Sequence, residues 1–495
     1  MSAQSVDRHE LVRDVRATLM PGFVGLEAPG WIVEALGNGL QSVCVYGNNI
    51  ESAEQVRALG RSLRSAAPHA LLAIDEEGGE VTRLHYREGS PYPGAAVLGR
   101  IDDPAFTEEI GRRVAADILN AGFNLALAPV ADVNSNPLNP VIGTRSFGST
   151  PDLVSRHVSA WVRGLTGAGA VACPKHFPGH GDTDQDSHLA LPVVGATRQE
   201  LEARELPPFS AAFGAGARAV MTSHILLPGI DPDSPATFSR AILQDVLRDA
   251  LGFTGVIVSD ALDMQGASGE IGIPEAAVRA LGAGCDLLCI GVDTTSEQFE
   301  EIVAHVVAAV AGGRISAERI AQAAARVRDL AESAAPPQGQ AVALHANAGE
   351  VARIADSFDG AGTARAWVAD HPHAAVIRID TAANMAVGVV PWGPFAQLAE
   401  GTLAHREQFT VSDAAPASEL SLPFLRERGA VIVGRDMHRH GFARHAIDEL
   451  RAAGVPLLTA EMGWPASRDY ADIASYGSSV VVGAALISLL EGSTS

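Results

Sequence analysis

Eight apolar, β-branched runs of strand length recur through the first 300 residues, each separated from the next by a longer Ala/Leu/Arg-rich stretch of helical character. They are GFVGL (22–26), SVCVYG (42–47), ALLAID (70–75), FNLALAP (123–129), AVACPKHF (170–177), AVMTSHI (219–225), GVIVSD (255–260) and CDLLCIG (285–291). Intervening segments such as DPAFTEEIGRRVAADILNAG and TFSRAILQDVLRDALG open on Asp or Thr/Ser and close on Gly, as capped amphipathic helices do. Strict alternation of eight strands with helices predicts an α/β chain built on a (β/α)8 TIM barrel. ISAERIAQAAARVRDLAESA predicts a closing helix, and AAPPQGQ (334–340) breaks it with Pro and Gly. The expected division is a barrel over 1–333, a linker over 334–345 and a smaller α/β sandwich-like domain over 346–495. In that second domain AAVIRID (374–380), AVIVGR (430–435), VPLLTAE (455–461) and SVVVGAALISLL (479–490) read as the strands of a small open sheet. HRHGFARH (438–445) reads as a helical surface face rather than a metal tract.

Acidic residues outnumber basic ones 58 to 36, and a formal net charge of -22 would repel a phosphate backbone, so no nucleic-acid partner is expected. The first twenty residues scatter charges and contain no signal-like apolar core, and nowhere do 18 apolar residues run together. The expectation is a cytoplasmic protein without a membrane partner. Cys44, Cys173, Cys285 and Cys289 lie in short apolar runs whose spacing fits neither a zinc ribbon nor a disulfide framework, so they read as core residues. Lys175 is the only lysine, the other 35 basic residues being arginine, which suggests a site that needs a compact ammonium instead of a planar fork.

A barrel of this type places its active site at the carboxyl ends of the strands. Polar residues collected there are Asp75 after the third run, Asp132 and Arg145 after the fourth, Lys175 and His176 after the fifth, His224 after the sixth and Asp260 after the seventh. The fifth run leads into KHFPGHGDTDQDSHLALP, which is dense in titratable groups. DTDQDSH (182–188) imitates a calcium loop, but Ser187 stands where Gly is required and Val193 where Glu is required. A zinc amidohydrolase would use His176, His224 and Asp260, yet GFVGLEAPG supplies no His-x-His pair and Lys175 would set a cation beside the metal. No metal and no cofactor is expected. The third reading is a retaining glycosidase, with Asp260 as nucleophile and His188 brought over the substrate as general acid by the Gly- and Asp-rich loop. Asp186 would orient the His188 ring and raise its pKa.

KHFPGHGDTDQDSH resembles the Lys-His-Phe-Pro-Gly-His-Gly-x4-Asp-Ser-His signature of the β-N-acetylglucosaminidases of glycoside hydrolase family 3. IDEEGGEVTR (74–83), NPVIGTRSFG (139–148) and VSDALDM (258–264) are similar to the family's pattern in the expected order, and the resemblance covers roughly residues 10–330. It implies that Asp260 forms a glycosyl-enzyme intermediate and that His188 is the acid/base with Asp186 as its partner. It also implies that Asp75, Arg83, Arg145, Lys175 and His176 hold the sugar, Asp132 and His224 being further candidates from their strand-end positions. Glu80 departs from the family's Asp-x-Glu-Gly-Gly-Arg run, where Arg is expected. The implied activity is exo-acting removal of terminal β-linked N-acetylglucosamine from cell-wall fragments or chitin oligosaccharides. A neutral imidazole repels phosphate less than a carboxylate does, so phosphorolysis with inorganic phosphate as acceptor is the alternative on the same site. A catalytically silent sugar-binding protein is the rival from another class. The second domain is expected to pack on the barrel or support a dimer, in a monomer or homodimer.

Overall fold

The computed structural model describes residues 7–185, 191–334, 346–382, 385–400, 403, 406–417 and 420–491, the side chains of 397–400 excepted. The chain forms two compact units. The first comprises Met1–Glu77, Pro104–Pro140 and Ser149–Val342, and the second Gly78–Asp103, Val141–Gly148 and Ala343–Ser495. A single cut does not describe this division, because two segments expected within the barrel belong to the second unit. Residues 335–345 of the expected linker lie outside the described residues.

The first unit is a (β/α)8 barrel. Its strands are β1 (Leu19–Pro21), β2 (Ser42–Val45), β3 (Leu71–Ile74), β4 (Leu125–Ala126), β5 (Val171–Ala172), β6 (Ala219–Met221), β7 (Val256–Ser259) and β8 (Leu287–Gly291). They form two parallel arcs, β1-β8-β7-β6 and β2-β3-β4-β5. One seam is bonded just beyond β5: Phe177 N donates to Met221 O at 2.8 Å, and Met221 N to Pro174 O at 2.9 Å. At the other seam the Ser42 hydroxyl donates to Leu19 O at 3.2 Å. The strands thus follow one another around the barrel in chain order.

Period-2 alternation turns Leu71 and Ala73 of β3, Val256 and Val258 of β7, and Leu287 and Cys289 of β8 into one interior cluster with Met20, Cys44, Cys173 and Met221. All four cysteines are buried and free, as expected of small core residues. The helix Ala317–Ser333 starts where Ser316 caps the Arg319 N–H, and it adds Val327, Leu330 and Ala331 to that cluster. The first expected strand is displaced. The ladder forms at Leu19–Pro21, upstream of GFVGL, and Gly22 is pressed to within contact of Gly291 O, where a Cβ would sit at 2.5 Å.

At the amino-terminal end of the barrel, Asp286 is fully buried immediately before β8. It accepts from Arg248 at 2.5 Å, Arg319 at 2.9 Å, Arg326 at 3.1 Å and Ile257 N at 3.0 Å. This one carboxylate joins the helices Ala241–Ala250 and Ala317–Ser333 to β7 and β8.

The second unit contains a five-stranded parallel sheet: β9 (Ala375–Ile379), β10 (Gln408–Val411), β11 (Ala430–Gly434), β12 (Leu457–Glu461) and β13 (Ile473–Ala474), in the order β10-β9-β11-β12-β13. One face packs Val376, Val431, Val433 and Leu458 against helices Ala361–Asp370 and Val480–Leu490. The other packs Ile377, Ile379 and Ile432 against helices Leu422–Arg428 and Gly441–Ala452. SVVVGAALISLL is therefore a buried helix, Val480–Leu490, and not the expected strand. A continuous apolar run carries neither the 2.0 nor the 3.6 period, and twelve residues is helix length. β10 escaped notice because Gln408 and Thr410 are exposed, and β13 because it is two residues long. Much of HRHGFARH does lie in or beside the helix Gly441–Ala452, as expected.

Breaking a buried ion cluster by removing one partner strands the remaining charges. Asp286→Ala is expected to destabilise the barrel by about 3–5 kcal/mol. Guanidinium denaturation followed by near-UV circular dichroism checks this, and a loss below about 1 kcal/mol would contradict it.

Candidate active site

At the mouth of the barrel, Lys175 follows β5 and is 3 % exposed. Its ammonium lies 2.6 Å from Asp75 Oδ1 and 2.8 Å from Glu77 Oε1, both just beyond β3. Regular pairing of β5 ends at Ala172, short of the expected 177, but Lys175 still sits between Pro129 and Ala131: its N–H donates to Pro129 O at 3.0 Å and its carbonyl accepts from Ala131 N at 2.6 Å. Two carboxylates on one side-chain cation call for a point charge with rotatable donors, which explains a lone lysine in an arginine-rich chain. Glu77 is not among the strand-end residues collected from the sequence, since it lies two positions past Asp75, the polar residue that ends the third run.

Asp132 is fully buried. Its Oδ1 accepts from the His176 N–H at 3.1 Å and the His180 N–H at 2.8 Å, and its Oδ2 accepts from His176 Nδ1 at 2.7 Å. Burial alone would raise this carboxyl, but the charge and hydrogen bond of His176, with His180, hold it below the usual range. The pair fixes the proton of a neutral His176 on Nδ1. Asp132, a candidate sugar ligand in the sequence, is bonded to His176 and to the start of the loop. His224, the other strand-end candidate, is likewise held by protein groups. Its Nε2 donates to Ala261 O at 3.0 Å, and its Nδ1 lies 3.0 Å from the Thr237 hydroxyl. Both ring nitrogens of His224 thus meet protein groups, one of them the carbonyl of the residue after Asp260. Asp260 follows β7 directly, half-buried, and its Oδ1 accepts from Ala261 N at 2.8 Å.

The base of the loop is anchored residue by residue. Gly181 lies so close to Val133 O that a Cβ would come within 1.7 Å. Asn139 Nδ2 donates to His180 O at 2.8 Å, and Asn136 Nδ2 to Thr183 O at 3.3 Å. Arg204 reaches Asp182 at 2.5 Å and Glu205 at 2.6 Å. Glu205 Oε2 is buried with no hydrogen-bond partner among the described residues and packs under Gly179, whose φ of +134° and lack of a Cβ admit it. His180, Asp182 and Thr183 thus form the loop's foundation, while Asp184 is exposed. Asp186 and His188 lie outside the described residues. Arg83 and Arg145 belong to the second unit, where Arg83 donates to Ala386 O at 2.9 Å and Arg145 to Val141 O at 3.1 Å. Among the described residues no group of three or more His, Cys, Asp or Glu is arranged to hold a metal ion.

Lys175 with its two carboxylates, His176 on Asp132 and Asp260 on a braced strand end make a polar barrel mouth suited to hydroxyl recognition and nucleophilic attack. The family model described as the glycosyl hydrolase family 3 N terminal domain matches residues 33–330. The chain belongs to glycosyl hydrolase family 3. This family 3 chain is 42% identical over 251 residues to the beta-hexosaminidase of Tolumonas auensis, covering 50% of this chain and 74% of that protein. It is 31% identical over 311 residues to beta-hexosaminidase A of Pseudoalteromonas piscicida, covering 58% of this chain and 52% of that one, so it spans about half the length of this second relative. Its fold matches that of the glycoside hydrolase family 3 β-N-acetylglucosaminidase from Paenibacillus sp. str. FPU-7 with a TM-score of 0.85 at 29% identity, covering 100% of this chain and 98% of that one. The resemblance carried by residues 175–188 is thus one of family, and the chain is a glycoside hydrolase.

Two outcomes follow from this geometry. Lys175→Arg keeps the charge but replaces a compact point donor between Asp75 and Glu77 by a larger planar fork, so KM is expected to rise about tenfold or more, with a fall in Tm from the disturbed ion cluster. An unchanged KM would remove the argument for a compact ammonium. The second concerns pH. Burial, and then the charge of His176, pushes His180 from 6.5 down to about 4, so only the unfolded chain takes up that proton and stability is lost as pH falls through this window. Burial pushes Glu205 from 4.5 up to about 7, against the pull of Arg204, so its contribution is lost as pH rises through that window. The two oppose each other between roughly pH 4.5 and 6.5. Glu205→Gln should unmask His180: relative to wild type, stability by urea denaturation should climb by about 1.4 kcal/mol per pH unit there. Parallel wild-type and variant curves would refute it.

Proposed function

We propose that this glycoside hydrolase is a retaining, exo-acting β-N-acetylglucosaminidase that needs no metal or cofactor. The observation that carries the reading is Asp260 on rigid backbone at the end of β7, in the same barrel mouth as Lys175 and His176. The names of its relatives support it: a beta-hexosaminidase at 42% identity and a β-N-acetylglucosaminidase matched over 100% of this chain.

In this mechanism Asp260 attacks the anomeric carbon from the face opposite the departing oxygen, while His188, oriented by Asp186, gives that oxygen a proton. The imidazole, now neutral, takes a proton from the acceptor, which displaces Asp260 and restores the β configuration. Asp75, Lys175 and His176 hold sugar hydroxyls, and the family resemblance carries the same role to Arg83 and Arg145. Asp132 and His224 act at one remove, by fixing His176 and the segment after Asp260. Substrates drawn from cell-wall fragments or chitin, and work in the cytoplasm, belong to the same proposal. Among the described residues no helix is long and apolar enough to cross a membrane.

The test is an aryl β-N-acetylglucosaminide incubated with and without phosphate. Free N-acetylglucosamine in both cases supports the hydrolase, sugar 1-phosphate made only with phosphate shifts the reading to a phosphorylase, and no turnover in either overturns both. Asp260→Asn is expected to lower kcat by about 10⁴-fold or more. His188→Ala should slow a natural disaccharide far more than an activated aryl glycoside, and equal slowing would sink the acid role.

A further inference from the structure

The strands of the second unit lie in the order β10-β9-β11-β12-β13, so the chain leaves β9 for one side and then builds its last three strands on the other. The connections after β9 and β11 therefore diverge. An open parallel sheet binds its ligands in the crevice that such a divergence leaves at the carboxyl ends of the two strands. Asp380 and Thr381 follow β9 there, and Arg435 follows β11. The Thr381 hydroxyl donates to Arg435 O at 3.0 Å and ties the two strand ends together.

The turn that follows Arg435 is held against strain. Asp436 takes a φ of +50°, a left-handed conformation that costs a residue with a Cβ and persists where its surroundings enforce it. Glu461, 2 % exposed at the end of β12, does so: its Oε1 accepts from Asp436 N at 2.7 Å and Gly463 N at 2.6 Å, and its Oε2 from Met437 N at 2.8 Å. Arg435 itself is 8 % exposed, and its guanidinium lies over the Trp392 ring at 4.5 Å. Arg378 of β9 lies over the same ring at 5.2 Å, but it is paired with Asp380 at 2.6 Å. Among the described residues the Arg435 guanidinium makes no hydrogen bond and no ion pair; Glu80 and Asp436 act on it through charge, and burial holds its pKa below the usual arginine range. A buried cation with five N–H donors and no acceptor is costly.

We propose that the crevice between β9 and β11 is an oxyanion site, in which Arg435 grips the phosphate or carboxylate group of a small molecule. A guanidinium fork matches a pair of oxygens on either group, and the fixed turn and the Trp392 ring hold that fork in one orientation. Arg378 adds a second positive charge beside the ring, while Asp380, Asp436 and Glu80 limit the net attraction. Recognition therefore depends on the fork at close range more than on the field around it. All of these residues belong to the second unit, and the inference does not rest on the β-N-acetylglucosaminidase reading.

The test is isothermal titration of the full chain with inorganic phosphate and, separately, with gluconate, at an ionic strength held constant with chloride. A Kd of about 1 mM or tighter is expected for at least one of them. Binding of phosphate alone assigns the site to a phosphoryl group and binding of gluconate alone to a carboxylate, whereas binding of neither overturns the proposal. Arg435→Met removes the fork and should weaken binding about tenfold or more. Its Tm without ligand should hold or rise, because an apolar chain replaces a buried cation that lacks an acceptor. Titrations unchanged in this variant would place the anion elsewhere and overturn the site. If Arg435→Met does not fold, Arg435→Lys decides in its place: it keeps the charge and loses the fork, so binding about fivefold weaker or more supports the proposal and unchanged binding overturns it.

Discussion

The barrel mouth is organised around one buried carboxylate. Asp132 receives two backbone N–H groups and a ring N–H, from residues four apart on the loop that leaves β5. An isolated carboxylate in that place would be costly, and three donors around it turn the cost into a constraint. Because the donors come from His176 and His180, satisfying Asp132 bends the chain between them into a fixed turn. Gly179 and Gly181 follow from that turn: the first must pass over Glu205 and the second against Val133 O, and neither position has room for a Cβ. The residues that give this loop its sequence character are therefore largely those that hold its base.

Seven of the barrel strands are legible in place because each is a short apolar run of strand length between longer helical stretches. β1 is read slightly late, since LMP and GFVGL are both apolar and only the pairing of Leu19 with Leu288 chooses between them. The helix Val480–Leu490 was unreadable for a different reason: it is buried nearly all round, so no polar face marks its turn. Asp75, Lys175, His176 and Asp260 could be singled out in the sequence because a charged group ending a buried strand has little structural use, and the structure gathers Asp75, Lys175 and Glu77 into one ion cluster. Asp132 and His224 were found by the same rule, and nothing in the sequence signalled the protein partners they hold. Strand-end position shows that a polar group faces the mouth, whereas its hydrogen-bond partners, which come from distant residues such as Ala261 and His180, decide whether it serves substrate or scaffold. Glu77 could have been found by asking what neutralises the only lysine.

The domain boundary was the least legible feature. Composition marks the Pro/Gly break after residue 333, but it cannot show that Gly78–Asp103 and Val141–Gly148 fold with residues far beyond that break. Those contacts combine core packing, as of Val97 with Val481 and Val482, and polar pairs such as Glu80 with Ser478, whose sequence separation of 398 leaves no periodic trace.

The lone lysine has a practical side. Lys175 offers the only side-chain amine in the chain, and that amine is held between two carboxylates with 3 % of the residue exposed. Amine-directed labelling, surface immobilisation and lysine crosslinking therefore find no side-chain handle on the folded protein, and a lysine-specific protease has one bond to cut, reachable only after the barrel opens. Acylation of that single amine can then serve as a clock for opening of the barrel mouth, read as one mass increment without any engineered probe.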